Sequence, residues 1–285
     1  MNKGVKVVLI ILAALVISLL LACFVLGKAS TTIAQVIVES GTVFVNGNQI
    51  QGEQLLKKGD IISTKEGEAT VILYDSIIVT LESNTEISLD VLTKQHPQIS
   101  QNSGSTWTKF ADVVGVKTMD VTTPNTVATV RGTEFGVDVN EKESSVSVGE
   151  GLVEVATDDQ IHPVKEWQKI VKRKGLKASL SEMTLEEKQK ILAKAERTLQ
   201  KLKQLRTKEV FKNKFIIERI KQMADIDDVQ IREVLEDIDA NKVDDNEIVE
   251  NSPFKPAVLH KIKNMNDKIK NQQRLIQAIR ENTKR

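Results

Sequence analysis

The sequence is poor in the residues that build chemistry. One cysteine, Cys23, stands among 285 residues, so no intrachain disulfide can form. The three histidines, His96, His162 and His260, are far apart, and no two have metal-ligand spacing. Aromatic residues amount to 4 %, which leaves few platforms for stacked bases and argues against nucleic acid as a partner. No Gly-rich phosphate loop and no nucleophile–base constellation can be read. The expectation is therefore a protein that is not an enzyme and needs no cofactor. The formal net charge of +1 names no partner either.

What is present is strongly segregated. Val7 to Gly27 carries no charge and is bracketed by Lys6 and Lys28. As a helix it spans about 32 Å, enough for a hydrocarbon core of about 30 Å. Residues 7–27 are expected to form a transmembrane helix, a signal anchor, behind a cytoplasmic tail at 1–6. Leu20-Leu21-Ala22-Cys23 resembles a lipobox, so acylation on Cys23 is an alternative, as is ordinary signal cleavage. The run before Cys23 is longer than a usual signal core and continues past it as Phe24-Val25-Leu26. All three readings place the bulk of the chain outside the cytoplasm. Lys3 and Lys6 precede the run, whereas Lys28 stands alone after it until Lys57, which favours N-terminus in and C-terminus out.

From about residue 32 to 157 the pattern changes to short β-branched runs at period two. Thr70 to Tyr74, Ile77 to Leu81 and Phe135 to Val139 are examples, divided by Gly, Asn and Asp breaks. With no helix-length period between them, these runs predict a compact all-β domain. Residues 158–180 read as a basic linker. Residues 181–285 read as helical: Thr184-Leu185-Glu186-Glu187 has the form of a capping box, and Leu185, Leu192 and Leu199 recur every seven residues, with Ala195 and Leu202 offset. A second amphipathic stretch runs from Val210 to Ala224, and a short helix is expected over Asp228 to Ile238. A last helix follows Ser252-Pro253, with Val258, Ile262, Met265, Ile269, Ile276 and Ile279 on one stripe. That stripe suits either a coiled-coil seam that self-associates or an antiparallel partner for the Leu185 helix.

The fullest pattern is Thr123-Pro124-Asn125-Thr126 followed by Val127 to Val130, Arg131-Gly132-Thr133-Glu134 and Phe135 to Val139. It resembles the signature of the FecR domain, a non-enzymatic extracytoplasmic β module. Other pieces resemble the same family in the same order. They are Gly41 to Gly47, the Leu56 to Thr64 loop with Gly59-Asp60, the paired strands of Glu68 to Leu89, and Gly149 to Val155 with Gly151. Asp75-Ser76 lacks the glycine usual at that turn, and Trp167-Gln168 stands where Gly-Gln often follows. The resemblance implies a roll or sandwich of short antiparallel and solenoid-like strands. Gly59, Asp60, Thr123, Pro124, Arg131, Gly132, Thr133, Phe135 and Gly151 are its motif positions. Arg131 is expected to be a structural guanidinium bonded to loop carbonyls or to Glu134 or Asp60, with a ligand contact as the alternative. Trp107 and Phe110 are expected in the core.

Charge alternates along the chain. Residues 29–164 hold 8 basic and 19 acidic side chains, and residues 165–221 hold 18 and 7. Residues 225–250 hold 2 and 11, and residues 255–285 hold 9 and 2. The blocks either complement one another or leave the basic helices free for lipid headgroups or an anionic wall polymer. Asp237, Asp239, Asn241 and Glu247 resemble a calcium loop, but the glycine at position six is missing and Glu247 falls one residue early. FecR proteins that regulate sigma factors carry a cytoplasmic segment of tens of residues, and six precede the apolar run here. The expected function is a membrane-anchored module that binds protein or polymer or relays a signal. An envelope scaffold acting through the helical tail is the alternative.

Overall fold

The computed structural model describes residues 33–111, 116–212, 218–219, 221–222, 227–246 and 257–283. The expected tail at 1–6, the span at 7–27, Cys23 and Glu247 lie outside the described residues. So does most of the stretch from Val210 to Ala224. Among the described residues, no helix is long and apolar enough to cross a membrane.

Among the described residues, fifteen strands form one continuous sheet, followed by three long helices. The strands are β1 (Ala34–Val45), β2 (Asn48–Ile50), β3 (Glu53–Leu55), β4 (Ile61–Leu73), β5 (Ile77–Leu81), β6 (Glu86–Val91) and β7 (Gln98–Phe110). They continue as β8 (Met119–Thr122), β9 (Val127–Val130), β10 (Glu134–Val139), β11 (Glu143–Glu150), β12 (Leu152–Ala156), β13 (Ile161–Lys165), β14 (Gln168–Arg173) and β15 (Ser179–Glu182). All pairings are antiparallel except β7 with β8.

The sheet is folded in two along a glycine crease. β1, β4 and β7 are long strands, and each changes partners at its middle. Gly41 in β1 (φ +67) and Gly67 in β4 (φ +119) face each other there. A Cβ on Gly41 would sit 1.7 Å from the Glu66 carbonyl oxygen, so only glycine allows the two backbones to approach so closely. One layer takes β3, the first half of β1, the second halves of β4 and β7, then β5, β10, β11, β14 and β15. The other takes β2, the remaining halves, then β6, β8, β9, β12 and β13. Inward residues of both layers, including Val71, Val79, Phe135, Val137, Val130, Val153 and Ile170, make one apolar core.

After β7 the chain alternates hairpins between the layers, and successive turns at Pro124, Glu141, Asp158 and Gly175 fall 17 residues apart. The last of these hairpins correct the expected boundary. Residues 158–180, read as a basic linker, contribute β13, β14 and the start of β15. Val164 and Ile170 point into the core while Lys165 and Lys169 alternate to the outer face, so a strand was disguised by its polar face.

The helices are α1 (Leu185–Lys212), α2 (Asp228–Asp239) and α3 (Ala257–Asn282). α1 opens on the expected capping box: Glu187 N–H donates to Thr184 Oγ1 at 3.3 Å, and Thr184 N–H donates to Glu187 Oε2 at 2.8 Å. α2 is capped by Asp227, whose side chain accepts from the amides of Val229 and Gln230. α1 and α3 run antiparallel, since Ile191 and Ala195 meet Ile276 and Ile279 while Leu202 meets Met265 and Ile269. The apolar stripe of α1 follows the expected one in part: Ala195 and Leu202 are buried, and Leu192 and Leu199 pack half-buried against the junction clusters. Leu185 is 51 % exposed, and the buried seam runs through Ile191, Ala195, Thr198, Leu202, Arg206 and Val210. The helix rests on the sheet on one side and on α3 on the other, so its most buried line falls between the two contacts.

Candidate functional site at the junction of sheet and helices

Three alternate cross-strand pairs, all on one face, build the floor of the junction. On β7 the outward residues are Ser105, Trp107 and Lys109; opposite them on β10 stand Asp138, Gly136 and Glu134. Glu134 is fully buried, and its Oε1 accepts the indole N–H of Trp107 at 2.7 Å. Its Oε2 lies 3.4 Å from Lys109 Nζ, and Lys109 also pairs with Glu150 on β11. Burial alone would lower the Lys109 pKa, but the two carboxylates outweigh it and hold the ammonium above its ordinary value. The charge is therefore kept, not discharged.

Trp107 lies over a glycine floor. A Cβ on Gly136 would be 2.8 Å from Trp107 Cε3, and one on Gly149 would be 3.2 Å from the same ring. With both side chains absent, the indole lies low on the layer and α1 can rest on it. Ile191, Ala195, Ile276 and Ile279 join it in one apolar cluster with Met183. Lys194 Nζ stands 5.6 Å from the ring centroid and pairs with Glu82 at 2.8 Å. Trp167, which occupies the glycine position of the family pattern, takes φ +65 and packs at the edge of the same cluster.

Ion pairs complete the seam. Arg197 meets Glu68 at 2.6 Å, Lys208 meets Glu53 at 2.8 Å, Lys261 meets Asp75 at 3.0 Å, and Lys201 meets Glu39. The basic and acidic blocks of the sequence thus face one another across the junction. A cavity of about 560 Å³ remains between α1 and the sheet, with Trp107, Met183, Ile191, Asp138 and Ser147 in its lining.

A second polar centre holds the helices together. Arg206, buried in α1, donates to both oxygens of Asp239 at 2.6 and 2.9 Å and to Asn266 Oδ1 at 2.9 Å. Asn266 and Lys270 in turn donate to Asp245 at 3.1 and 2.8 Å. The described residues that resemble a calcium loop lie beside this centre. Asp239 is engaged by Arg206 and Lys203, Asp237 by Lys242, and Asn241 sits in a left-handed turn with φ +56. Asp237 and Asp239 thus each face a protein cation.

The other motif positions are used locally. Arg131 is exposed and makes no hydrogen bond or ion pair among the described residues, so the expected guanidinium staple is absent. Lys109 is the cation that meets Glu134, on the opposite strand. Asp60 accepts from Asn46 Nδ2 at 2.8 Å and from the Lys57 amide at 2.9 Å, which closes its own loop. Thr123 Oγ1 accepts from the amides of Asn125 and Thr126 across the Pro124 turn. Thr133 and Phe135 are buried, and Gly59, Gly132 and Gly151 have φ of +87, +62 and +89. Phe110 lies in the main core and Trp107 in the junction cluster. Lys109, Glu150 and Asp138 were missed. Only their alternation with inward Thr108, Phe110 and Val137 marks them as sharing one face.

Residues 60–154 match the model of the FecR protein family, and the chain carries a FecR domain there. Two crystal structures of a candidate anti-sigma factor from Parabacteroides distasonis ATCC 8503 are similar at 19 % and 20 % identity, with TM-scores of 0.38 and 0.39. In each the match covers 43 % of this chain and spans 59 % of that chain. No curated protein matches.

Proposed function

We propose that the chain is a non-enzymatic signalling module, anchored through residues 7–27, that presents its FecR domain outside the cytoplasm to a protein partner. The observation that carries this reading is the FecR domain itself, with Glu134 of its signature joined through Trp107 to α1. Motif and helical tail are thereby one mechanical unit, as a relay requires. The layer of β6, β8, β9, β12 and β13 keeps exposed residues such as Asp90, Glu154 and Ile161, which leaves that surface to the partner.

The scaffold reading depends on free basic helices. Lys194, Arg197, Lys201, Lys208 and Lys261 are matched to carboxylates of the β sheet, which favours the relay. The test has two parts. Protease added to intact spheroplasts carrying the full chain should digest the folded portion, and a protected portion overturns the topology. A photo-cross-linker at Glu154 should capture one defined protein, whereas one at Arg197 should not.

A further inference from the structure

The cavity under α1 has a charge imbalance that the sequence hides. Its four cations are satisfied by neighbours: Lys194 by Glu82 at 2.8 Å, Lys169 by Glu187 at 3.2 Å, Lys190 by Glu186 at 2.8 Å, and Arg197 by Glu68 at 2.6 Å. One carboxylate is left over. Asp138 accepts hydrogen bonds from Ser105 Oγ at 2.6 Å and Ser145 Oγ at 3.4 Å, and no cation lies within ion-pair distance among the described residues. It is half-buried, in the outward row of β10, one cross-strand step from Trp107.

The surroundings of Asp138 suit a particular ligand. Ser147 Oγ faces the same cavity with no hydrogen-bond partner among the described residues. Trp107, Met183 and Ile191 supply an apolar wall. An apolar wall with one carboxylate left without a cation, beside the paired Glu82 and Glu187, and one hydroxyl without a partner among the described residues is the complement of a protonated amine on a short hydrocarbon arm. An anion would meet Asp138 and find every cation already engaged. A neutral ligand would leave the carboxylate's open lone pairs without a charged donor.

We propose that this cavity binds a protonated alkylamine, with its ammonium on Asp138 and Ser147 and its carbon chain against Trp107, Met183 and Ile191. The amine is either a free small molecule or the tip of a lysine side chain from another protein. In either form it bridges β10 and α1, so its binding tightens the docking of the helices on the FecR domain. This site does not depend on the signalling reading.

The test is calorimetric titration of the full chain in detergent with 1,5-diaminopentane, with Nα-acetyl-lysine amide, and with acetate as the anionic control. Both amines, or one of them, should bind and raise Tm, while acetate should not. Tighter binding of the diamine assigns a free amine, and tighter binding of the lysine amide assigns a protein side chain. Asp138→Asn keeps the shape and the serine contacts and should weaken amine binding at least tenfold. Should that variant fold poorly, Ser147→Val leaves Asp138 in place and should weaken it several-fold. Amide exchange over residues 185–198 should slow when amine is bound. Absence of binding by either amine, equal binding by Asp138→Asn, or acetate binding as well as the amines overturns the proposal.

Discussion

On one layer of the folded sheet, beside the charged row of Lys109, Glu134 and Asp138, the outward residues under the helices include Ile78, Trp107, Gly136, Ser147 and Gly149; on the other layer they include Ser88, Asp90, Ser100, Asp120 and Thr129. Backbone and inward pattern are alike. The first set is apolar or small, and a helical hairpin rests on it. The second set satisfies itself, since Ser88 and Ser100 both donate to Asp90, and Thr129 donates to Asp120 at 2.8 Å. A β layer is thus covered or left open by what alternates outward, while its fold is fixed by what alternates inward.

The largest expected effect tests the covered face at its buried charges. Glu134→Ala strips Trp107 of its acceptor and leaves Lys109 with Glu150 alone, inside the protein. Breaking a buried pair from one side costs about 3–5 kcal/mol. Asp120→Ala on the open face, where the side chain reaches solvent, should cost about 1 kcal/mol or less. Denaturant midpoints of the two variants measure the contrast, and equal losses would erase the distinction between the faces.

Next in size is the glycine floor. Gly136→Ala places a methyl 2.8 Å from the Trp107 ring and forces the indole upward into α1. Overpacking of this kind costs about 1–3 kcal/mol. The loss should fall on the docking and spare the sheet core. Both tryptophans of the chain sit in this junction, so intrinsic fluorescence should shift to the red before the far-ultraviolet strand signal changes.

The covered face was the less legible of the two in the sequence. Strands such as Thr70 to Tyr74 and Phe135 to Val139 announced themselves, because β-branched alternation and buried inward residues are the same fact. The capping boxes at Thr184 and Asp227 depend only on neighbours three residues away. Lys109 and Glu134 are 25 positions apart and meet only through strand register, which no local pattern encodes. Arg131 drew attention because it stands inside the signature, yet the turn at Gly132 sends it to solvent. The lysines of β14 resembled a linker and so hid the extension of the sheet through residue 182.

The helical lobe contrasts with both faces, since its centre is polar. Burial alone would raise the Asp245 carboxyl pKa. Hydrogen bonds from Lys270 and Asn266, with the charges of Lys270 and Lys263, outweigh that and hold it below the ordinary carboxylate range. A carboxyl held low in the fold stabilises it fully above its unfolded value near 4, and that contribution is lost as pH falls through the lower folded value. Acid should therefore loosen α2 and α3, read as faster amide exchange there, before the apolar sheet core opens. Asp245→Asn should flatten this pH dependence, and an unchanged profile would place the acid-sensitive element elsewhere.

The smallest effect concerns the ion pairs that line the junction, and it decides whether charge or shape holds the helices down. Lys201 and Glu39 are each about one-fifth exposed, at 19 % and 24 % of the side chain. Pairs so placed are worth about 0.2–1 kcal/mol by double-mutant cycle. Raising salt from 0.1 to 1 M shortens the screening length from about 10 Å to about 3 Å and should remove most of that coupling. The cycle of Lys201→Ala with Glu39→Ala should then show a coupling that fades with salt, while the tryptophan spectrum stays that of the docked state. That result assigns adhesion to Trp107 on its glycine floor and leaves the charges to set orientation. A red-shifted spectrum at 1 M salt in the unmodified protein would assign adhesion to the charges, and the open and covered faces would then differ by electrostatics more than by packing.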